Sequence, residues 1–422
     1  MRQEPFLIVI GAGPAGLMAA GLAAGRGIPT LLLEKMDRPG RKLRITGKGR
    51  CNLTNQSELG DFINHFGKNG PFLYQTFSRF FVSDLVGFLE RLGVRTVVER
   101  GGRIFPAELD ADQVTERLAD WAIKQGVQIK THTAVKEVVL RSRRTSGVLL
   151  QDGTQIPANA VIIATGGASY TGTGSSGDGY RMAEQAGHTI HVLRPALVPL
   201  KTQGNTAGSL QGLSLKNVRA SVCIDGKKTA GEFGEMLFTH FGLSGPIILT
   251  LSGQVVDALR TGKKVQISID LKPALDEQKL DARLLRELET HHKQQFATLL
   301  KELLPSSLIP VCVDQTAIPA EKKCAEITAR ERLRLLEWLK DFRFTIIGSL
   351  PLEAAIITAG GVALDEIDPR SMQSKLVENL YFAGEVLDLN ADTGGYNLQA
   401  AFSTGWMAGM AVVQQFNTAH ER

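Results

Sequence analysis

The chain has 422 residues, of which 43% are hydrophobic and 22% charged, enough for two or three domains with sizeable cores. Its net charge of +5 is slight for this length and its Lys and Arg residues are scattered, which argues against a nucleic-acid partner. Its four cysteines lie far apart without C-x-x-C spacing, so we expect no metal site, no dithiol pair, and free thiols in a reducing cytoplasm.

The first element is an apolar run, Phe6 to Ile10, followed directly by the glycine spacing G-x-G-x-x-G. The run is too short for a signal peptide and predicts a strand. No stretch approaches the roughly 20 apolar residues that cross a bilayer, so no membrane contact is expected. A small-residue helix, a second apolar run and an acid complete the pattern of a dinucleotide-binding βαβ unit.

Each residue of the glycine turn has a physical role in that prediction. Gly11 permits the tight turn, Gly13 lets a pyrophosphate approach, and Gly16 lets the helix press on the strand. The start of the helix, at Pro14 and Ala15, offers free N–H groups to the phosphates. The alternative, an ordinary tight turn, does not account for the strand, helix, strand and acid that flank it.

Glu34 ends the second strand 18 residues after Gly16, where a carboxylate can accept hydrogen bonds from ribose hydroxyls. Its charge argues against a 2′-phosphate at this site, because like charges repel.

The following loop, residues 38–55, joins glycine and proline breakers to six cations and ends in amides and hydroxyls. Backbone N–H groups and arginine guanidinium groups in such a loop can bind anionic oxygens. The preceding βαβ unit is predicted to bind a pyrophosphate nearby. A solvated basic loop is the alternative.

Helical patterns follow over 72–92 and, with Asp110 as the cap, over 110–125. Short alternating runs between 127 and 156 predict a small antiparallel meander. The buried strand 160–164 then leads from Ala164 into Thr165-Gly166-Gly167, where the backbone can again come close to a ligand.

A second glycine run, residues 172–179, formally repeats G-x-G-x-x-G. We do not interpret it as a second fingerprint, because its strand ends too far upstream and no acid ends the strand predicted over 188–193. Arg194 follows that strand and is able to accept a 2′-phosphate, so NADP binding here stays open.

From about Pro195 the composition changes to short strands with an antiparallel character, followed by helices over 276–304 and 328–339. We predict an insert at 195–343, β-rich over about 195–272 and helical over about 273–343, between two parts of one nucleotide-binding domain, 1–194 and 344–422. His240 in the insert either faces a substrate or is hydrogen-bonded in a packed turn.

The last segment returns to cofactor chemistry. A strand ends in Gly384-Glu385, and a glycine-led helix begins near residue 396. Such a helix start binds ribityl hydroxyls and directs N–H groups at a flavin edge.

With both ends described, the chain resembles the family of bacterial NAD(P)/FAD-dependent oxidoreductases that comprises the BaiN, aminoacetone oxidase and YhiN-like proteins. The motifs are Gly-Arg-Lys at 40–42, Gly-Lys-Gly-Arg-Cys-Asn at 47–52, and the long runs at 238–246, 358–362 and 383–401. Lys48 stands where many members have a third Gly, which leaves less room beside the cofactor.

This resemblance implies an α/β fold in which a discontinuous FAD-binding Rossmann-like domain, with a parallel sheet and a small meander, carries an inserted β-barrel-like and helical domain. It implies that the first glycine turn and Glu34 hold the ADP moiety with Val135 on the adenine side. It also implies that Arg41, Lys42 and residues 49–52 line the pyrophosphate and flavin, and that Glu385 with 397–399 completes the flavin end. The full predicted cofactor set is Gly11, Gly13, Pro14, Ala15, Gly16, Glu34, Lys35, Arg41, Lys42, Gly49, Arg50, Cys51, Asn52, Val135, Ala164, Thr165, Gly166, Gly384, Glu385, Asn397, Leu398 and Gln399.

We therefore expect a FAD-dependent oxidoreductase that moves a hydride between flavin N5 and a small organic substrate, with NAD(P)H or dioxygen as the other redox partner. Tyr170 and His240 are the candidate acids or bases, and Cys51 is either a flavin-side thiol or a packing residue. Alternatives are a flavin-dependent tRNA-modifying enzyme and a non-enzymatic flavin redox sensor. The substrate and the oligomeric state are not predicted.

Overall fold

The apolar runs near the N-terminus form buried strands, as their continuous hydrophobicity predicts. A computed structural model describes residues 6–420 of the chain. Up to residue 196 the strands are β1 (Leu7–Ile10), β2 (Thr30–Leu33), β3 (Thr54–Asn55), β4 (Thr96–Val98), β5 (Arg103–Pro106), β6 (Gln128–Lys130), β7 (Val135–Arg141), β8 (Arg144–Leu150), β9 (Gln155–Pro157), β10 (Ala160–Ile163) and β11 (Ile190–Ala196). The helices of this segment are α1 (Pro14–Ala24), α2 (Arg41–Arg44), α3 (Leu59–Asn64), α4 (Tyr74–Phe77), α5 (Val82–Arg91), α6 (Ala111–Lys124) and α7 (Asp178–Gln185).

The described residues after 196 contribute ten strands and seven α-helices. The middle segment contains β12 (Leu200–Thr202), α8 (Thr206–Ser209), β13 (Ser214–Ile224), β14 (Lys227–Thr239), β15 (Gly242–Ser244), α9 (Pro246–Arg260), β16 (Val265–Asp270), α10 (Glu277–Thr290), α11 (Phe296–Leu303), α12 (Ile309–Thr316), α13 (Ala329–Lys340) and β17 (Phe342–Ser349). The last segment contains β18 (Ile357–Val362), β19 (Ile367–Asp368), β20 (Gln373–Ser374), β21 (Leu380–Phe382) and α14 (Tyr396–His420).

The main sheet has the strand order β19-β20-β21-β10-β1-β2-β6. Strands β21, β10, β1, β2 and β6 are parallel, and β1 lies between β10 and β2. Gly11, which directly follows β1, therefore lies at the carboxyl edge near the middle of the sheet, where open α/β sheets bind their ligands. Strands β7, β8 and β9 form the expected antiparallel meander.

The chain divides into two structural units, one from residues 1–196 and 352–422 and the other from 197–351. The second boundary lies later than residue 343, because β17 pairs with β16 and β12 and closes a barrel with the order β12-β15-β14-β13-β16-β17. The α/β class with a parallel sheet and an inserted barrel and helices is confirmed. Residues 1–5 and 421–422, where the predicted domain ranges begin and end, lie outside the described residues.

Two local predictions need correction. A single helix over 72–92 is wrong: the chain leaves the helix after Phe77, and Asp84 starts a new one by accepting the N–H of Phe81 at 2.9 Å. The helix predicted over 276–304 is two helices, because α10 ends at Thr290 and α11 begins only at Phe296.

The C-terminal helix returns to the first helix of the chain. A Cβ added at Gly405 would lie 2.3 Å from the carbonyl oxygen of Ala15, and one added at Gly409 would lie 2.8 Å from that of Ala19. Glycine at these positions permits the close approach of the two helix backbones, so α14 packs directly against α1. Within the described range, no helix is both long and apolar enough to cross a membrane.

Candidate functional site

In the glycine turn after β1, two of the glycines have no room for a side chain and the third faces empty space. A Cβ at Gly11, where φ is 98°, would lie 2.6 Å from the carbonyl oxygen of Ala164, and one at Gly16 would lie 1.9 Å from that of Gly11. At Gly13, by contrast, no described atom lies within 4 Å of the added carbon. Gly11 and Gly16 are thus required for packing, and Gly13 leaves space beside the backbone for a ligand.

Helix α1 begins at this open position. Gly13 is its N-cap and supplies no side-chain hydrogen bond, Pro14 occupies the first turn, and Ala15 and Gly16 are buried. The first N–H groups of a helix lack partners within the helix, and here no capping side chain replaces them. The arrangement therefore suits a phosphate.

Glu34 is fixed by two main-chain donors. The N–H of Ala12 donates to its Oε2 and the N–H of Met36 to its Oε1, both at 2.9 Å. The N–H of Thr133 donates to the Glu34 carbonyl at 2.8 Å, which brings the segment before Val135 alongside the carboxylate. Each oxygen can still accept a second hydrogen bond, as ribose recognition requires.

Lys35 points to the second glycine run and not to the first turn. Its Nζ lies 2.5 Å from Asp178 Oδ2 and also donates to Ser176 Oγ. A Cβ at Gly174 would lie 2.8 Å from the Met36 side chain, so the run packs against this segment. Strand β11, which follows α7, pairs antiparallel with β18, so the second glycine run does not form a parallel βαβ unit.

Two buried polar atoms among the described residues lack a hydrogen-bond partner: Asn52 Oδ1 and Thr165 Oγ1. Both residues belong to the predicted cofactor set. Gly166, beside Thr165, has φ 73°, and the N–H of Ala164 donates to the carbonyl of Ile10 at 2.8 Å. Buried polar groups are nearly always paired, so a ligand or a water molecule at these two atoms is required. The open turn and these unpaired acceptors fit a bound dinucleotide.

Lys42 and Glu385 form the central ion pair of the candidate site. Lys42 Nζ lies 2.7 Å from Glu385 Oε2, and their side chains are only 22% and 19% exposed. The same Nζ donates to Ser169 Oγ at 2.8 Å, while the N–H of Thr358 donates to Glu385 Oε1 at 2.8 Å. The structure thus brings together two predicted residues from opposite ends of the chain.

The four arginines of the loop over 38–55 have carboxylate partners. Arg41 pairs with Asp37 at 3.2 Å, and Arg50 pairs with Glu99 while its guanidinium lies 4.4 Å from the centre of the Phe105 ring. Gly49, at φ 86°, has no described atom within 4 Å of an added Cβ. The loop therefore offers a ligand its backbone at Gly49 more readily than free guanidinium groups.

Cys51 is completely buried, with φ 59°. Burial raises the pKa of its thiol to about 11, although a hydrogen bond with Thr46 acts in the opposite direction. A protonated, inaccessible thiol supports the packing role and argues against a reactive flavin-side thiol.

The segment from Gly384 to Gln399 is held by internal hydrogen bonds. Gly384, at φ 77°, donates its N–H to Thr404 Oγ1 at 2.9 Å. The side chain of Asn397 accepts a hydrogen bond from the N–H of Ala391 at 2.9 Å and donates one to the Ala391 carbonyl at 3.0 Å, which fixes the loop before α14. Leu398 is partly buried and packs against the core. Gln399 is fully buried.

The side-chain amide of Gln399 is used within the fold. Its Oε1 accepts from Thr54 Oγ1 at 2.7 Å, and its Nε2 donates to Ser403 Oγ at 2.9 Å. Gln399 and Asn397 therefore position the start of α14, and their side chains are engaged with protein groups.

The two candidate acids or bases lie in different units. Tyr170 directly follows Ser169, has φ 50°, and is 37% exposed, with its N–H donating to the Glu353 carbonyl at 3.1 Å. His240 lies exposed in the turn between β14 and β15, its ring 4.9 Å from that of Phe241. Of the two, Tyr170 shares a unit with the predicted cofactor residues.

Sequence reasoning missed several residues that support the site. Ser169 and Thr358 complete the Lys42 and Glu385 cluster, and the hydroxyl of Tyr180 donates to the Glu385 carbonyl at 3.2 Å. Burial raises the pKa of Tyr180 well above its ordinary value, so it remains a neutral donor. The available signal was the run at 358–362, which begins at Thr358.

The chain is similar throughout its length to known proteins. The HI0933-like protein Rossmann domain family matches residues 6–411. Over 414 residues the chain is 31% identical to the 3-dehydro-bile acid delta(4,6)-reductase of Clostridium scindens, covering 96% of this chain and 98% of that protein. Over 400 residues it is 32% identical to the ribosomal RNA dihydrouridine synthase of Escherichia coli, covering 94% and 96%.

Solved structures share the fold at low identity. The open conformation of a flavocytochrome c3 fumarate reductase matches with a TM-score of 0.53 at 18% identity, over 98% of this chain and 78% of that one. A 3-ketosteroid-delta4-(5alpha)-dehydrogenase from Rhodococcus jostii matches with a TM-score of 0.52 at 15% identity, over 98% and 97%. These likenesses support the fold described above.

Proposed function

Because this chain belongs to the HI0933-like Rossmann family, we propose that it is a FAD-dependent reductase that saturates a carbon–carbon double bond conjugated with a carbonyl group. The structural observation that carries the proposal is the open position at Gly13, at the carboxyl edge of the sheet, with the unpaired Asn52 Oδ1 and Thr165 Oγ1 in the same unit. These features give a dinucleotide both backbone donors and buried acceptors.

The named reactions of the relatives support the reaction class. A delta(4,6)-reductase acts on a 3-dehydro bile acid whose double bonds extend the ketone, and a dihydrouridine synthase saturates the uracil double bond beside a ring carbonyl. Both reactions add two hydrogens to a conjugated double bond. When bound, FAD would provide hydride chemistry with NAD(P)H as the reductant, so that the carbon β to the carbonyl would gain a hydride and the α carbon a proton.

The chain's own residues have three tasks in this proposal. The first turn of α1 and Glu34 hold the dinucleotide by its phosphates and ribose. Lys42, fixed by Glu385 and Ser169, places its Nζ donor in a largely buried site, where it can stabilise negative charge that develops on a bound group. Tyr170 is our candidate for the donor of the α proton, since it is accessible and directly follows Ser169.

We propose uridine in ribosomal RNA as the substrate, although the slight net charge and scattered cations led us to expect no nucleic-acid partner. The support is that two relatives named ribosomal RNA dihydrouridine synthase, from Escherichia coli and Haemophilus influenzae, are 32% and 30% identical to this chain over nearly its full length. A 3-dehydro bile acid with delta(4,6) double bonds is the second candidate, supported by the Clostridium scindens relative at 31% identity.

An assay of both substrates tests the proposal. The FAD-loaded protein is incubated anaerobically with NADH or NADPH and with either ribosomal RNA lacking dihydrouridine or the bile acid, and nucleosides and steroids are analysed by mass spectrometry. We expect a gain of two hydrogens in uridine and a slower reaction in Y170F with unchanged FAD content. If neither substrate gains hydrogen while the flavin is reduced by NAD(P)H, the proposed reaction class is refuted.

A further inference from the structure

Two exposed turns of the barrel unit have the same sequence, Gly-Lys-Lys. Gly226 lies in the turn between β13 and β14 and is followed by Lys227 and Lys228, the first residues of β14, while Gly262-Lys263-Lys264 connects α9 to β16. Gly226 has φ 82° and Gly262 has φ 74°, and no described atom lies within 4 Å of a Cβ added to either. These positions therefore favour glycine because of their left-handed backbone conformation and not because of crowding. Each glycine is followed by two lysines.

The two turns lie side by side. The N–H of Asp225 donates to the Lys264 carbonyl at 2.9 Å, and the N–H of Lys264 donates to Asp225 Oδ1 at 3.1 Å. In the barrel, Ile224 is paired with Lys227 on one side and with Val265 on the other. Neighbouring strands are about 4.8 Å apart, so Lys227 and Lys264 lie on the order of 10 Å apart at one end of the barrel.

The lysines of this surface, Lys227, Lys228, Lys263 and Lys264, are all exposed. Within the described part of the chain, none of the ion pairs involves them. We call these four residues the twin-lysine surface. Four like charges held together by paired turns repel one another, and an anionic partner relieves that repulsion.

The carboxylates beside the twin-lysine surface are already engaged. Asp225 accepts the N–H of Lys264, as described, and Asp341 is hydrogen-bonded by Arg343 Nε at 2.7 Å and by Ser268 Oγ at 2.5 Å. Burial acts to raise the pKa of Asp341, but these hydrogen bonds and the charges of Arg343 and Lys228 outweigh it and lower the pKa. The four lysines and Arg343 outnumber these two carboxylates, so the surface has a net positive charge.

We propose that the twin-lysine surface binds the phosphodiester backbone of an RNA substrate. The proposal rests on the proposed function for the identity of the polyanion and on the paired turns for the location. Lysine ammonium groups bind phosphates as point charges and do not recognise the bases. The surface would therefore contribute to the affinity and orientation of the RNA but not to its sequence specificity.

Binding of a fluorescent ribosomal RNA fragment to the FAD-loaded full chain, measured by anisotropy over a range of salt concentrations, tests the proposal. The test variant replaces the twin-lysine surface with glutamine (K227Q, K228Q, K263Q, K264Q), and a matched control replaces four other exposed lysines of the same unit (K201Q, K216Q, K293Q, K323Q). For single-stranded RNA, the slope of log affinity against log salt should fall by about 0.7 for each contacting lysine lost, hence by up to about 3 in the test variant.

Each outcome has a defined meaning. Weaker binding and a smaller slope in the test variant, with the control near the wild type, support the proposal. Equal losses in both variants, or no RNA binding by the wild type, overturn it, as does binding to anionic vesicles or an acidic protein in place of RNA. If RNA binds through these lysines but no dihydrouridine forms, the proposed function fails while the binding surface stands. Flavin reduction by NAD(P)H, unchanged in both variants, shows that the site is intact.

Discussion

Lys42 Nζ lies 2.7 Å from Glu385 Oε2, although 343 residues separate the two in the chain. Lys42 belongs to the cationic loop after β2, and Glu385 follows β21, so the pair forms only when the last segment folds back onto the first. Since both side chains are largely buried, removing either partner leaves a charge with too few hydrogen bonds.

The first prediction concerns this pair. K42M and E385Q should each weaken FAD binding by about tenfold or more, because a hydrogen bond to a charged group contributes about 1.5–3 kcal/mol. Fluorescence titration of the apoprotein with FAD measures the loss, and the double variant should lose less than the sum of the two. R38Q, which removes an exposed pair with Asp112 at 3.7 Å, should change the affinity little. Additive losses in the double variant would show that the two residues act independently.

The second prediction separates folding from binding in the glycine turn. G13A should fold with nearly unchanged thermal stability yet be purified without FAD, because the added methyl group occupies the space left for the ligand. G11A and G16A should be strongly destabilised, since their methyl groups meet backbone atoms at 2.6 and 1.9 Å. The flavin absorbance relative to protein absorbance, together with thermal denaturation, gives both quantities. A yellow G13A protein would place the dinucleotide elsewhere.

Local sequence patterns account for the parts of this fold that could be predicted. The strands β1, β2 and β10 are continuous apolar runs, and the turn at Gly11 has a spacing whose geometry follows from the missing side chains. The cap of α6 at Asp110 was equally local, since its side chain accepts the N–H of Gln113 at 2.8 Å.

Contacts between distant residues account for what the sequence could not show. Lys35 and Arg50 were included in the cofactor set because of their position, but Asp178 and Glu99 engage their side chains. Gln399 lies in a glycine-led motif and is nevertheless fully buried, because Thr54 and Ser403 take up its amide. Strand β17 joins the barrel only through its pairing with β16 and β12. Such partners are separated by tens to hundreds of residues, beyond the range of any periodicity.

The third prediction concerns the contact between α1 and α14. G409A should lower the free energy of unfolding by about 1–3 kcal/mol, because its methyl group would lie 2.8 Å from the Ala19 carbonyl oxygen. Urea denaturation measures the change. G253A in α9 is the matched control: it has no described atom within 4 Å and should stabilise the protein by about 0.5–1 kcal/mol, since alanine favours a helix. A stabilised G409A protein would contradict the described helix contact.

The fourth prediction concerns pH. The hydrogen bond from Lys322, with support from the N–H of Thr328, lowers the pKa of Glu331 from 4.5 to about 2. A lowered carboxyl pKa stabilises the folded protein above the ordinary value, and that stability is lost as the pH falls from about 4.5 towards about 2. E331Q keeps the capping geometry but not the charge, so it should be less stable by about 1–2 kcal/mol at neutral pH, and the difference should shrink in acid.

Thermal denaturation of wild type and E331Q between neutral pH and pH about 3 measures this difference. The exposed Glu337 in the same helix provides the control, and E337Q should follow the wild type at every pH. A difference between wild type and E331Q that stays constant as the pH falls would show that the charge of Glu331 does not contribute.

Anaerobic rapid mixing tests the central claim most directly. The protein is first reduced with just enough NAD(P)H to bleach its flavin and is then mixed with ribosomal RNA that lacks dihydrouridine. The account predicts that the flavin absorbance returns without oxygen, that one dihydrouridine forms for each flavin reoxidised, and that RNA already carrying the modification has no effect. A flavin that stays bleached with this RNA and with the delta(4,6) bile acid alike would contradict the proposal that this chain reduces conjugated double bonds.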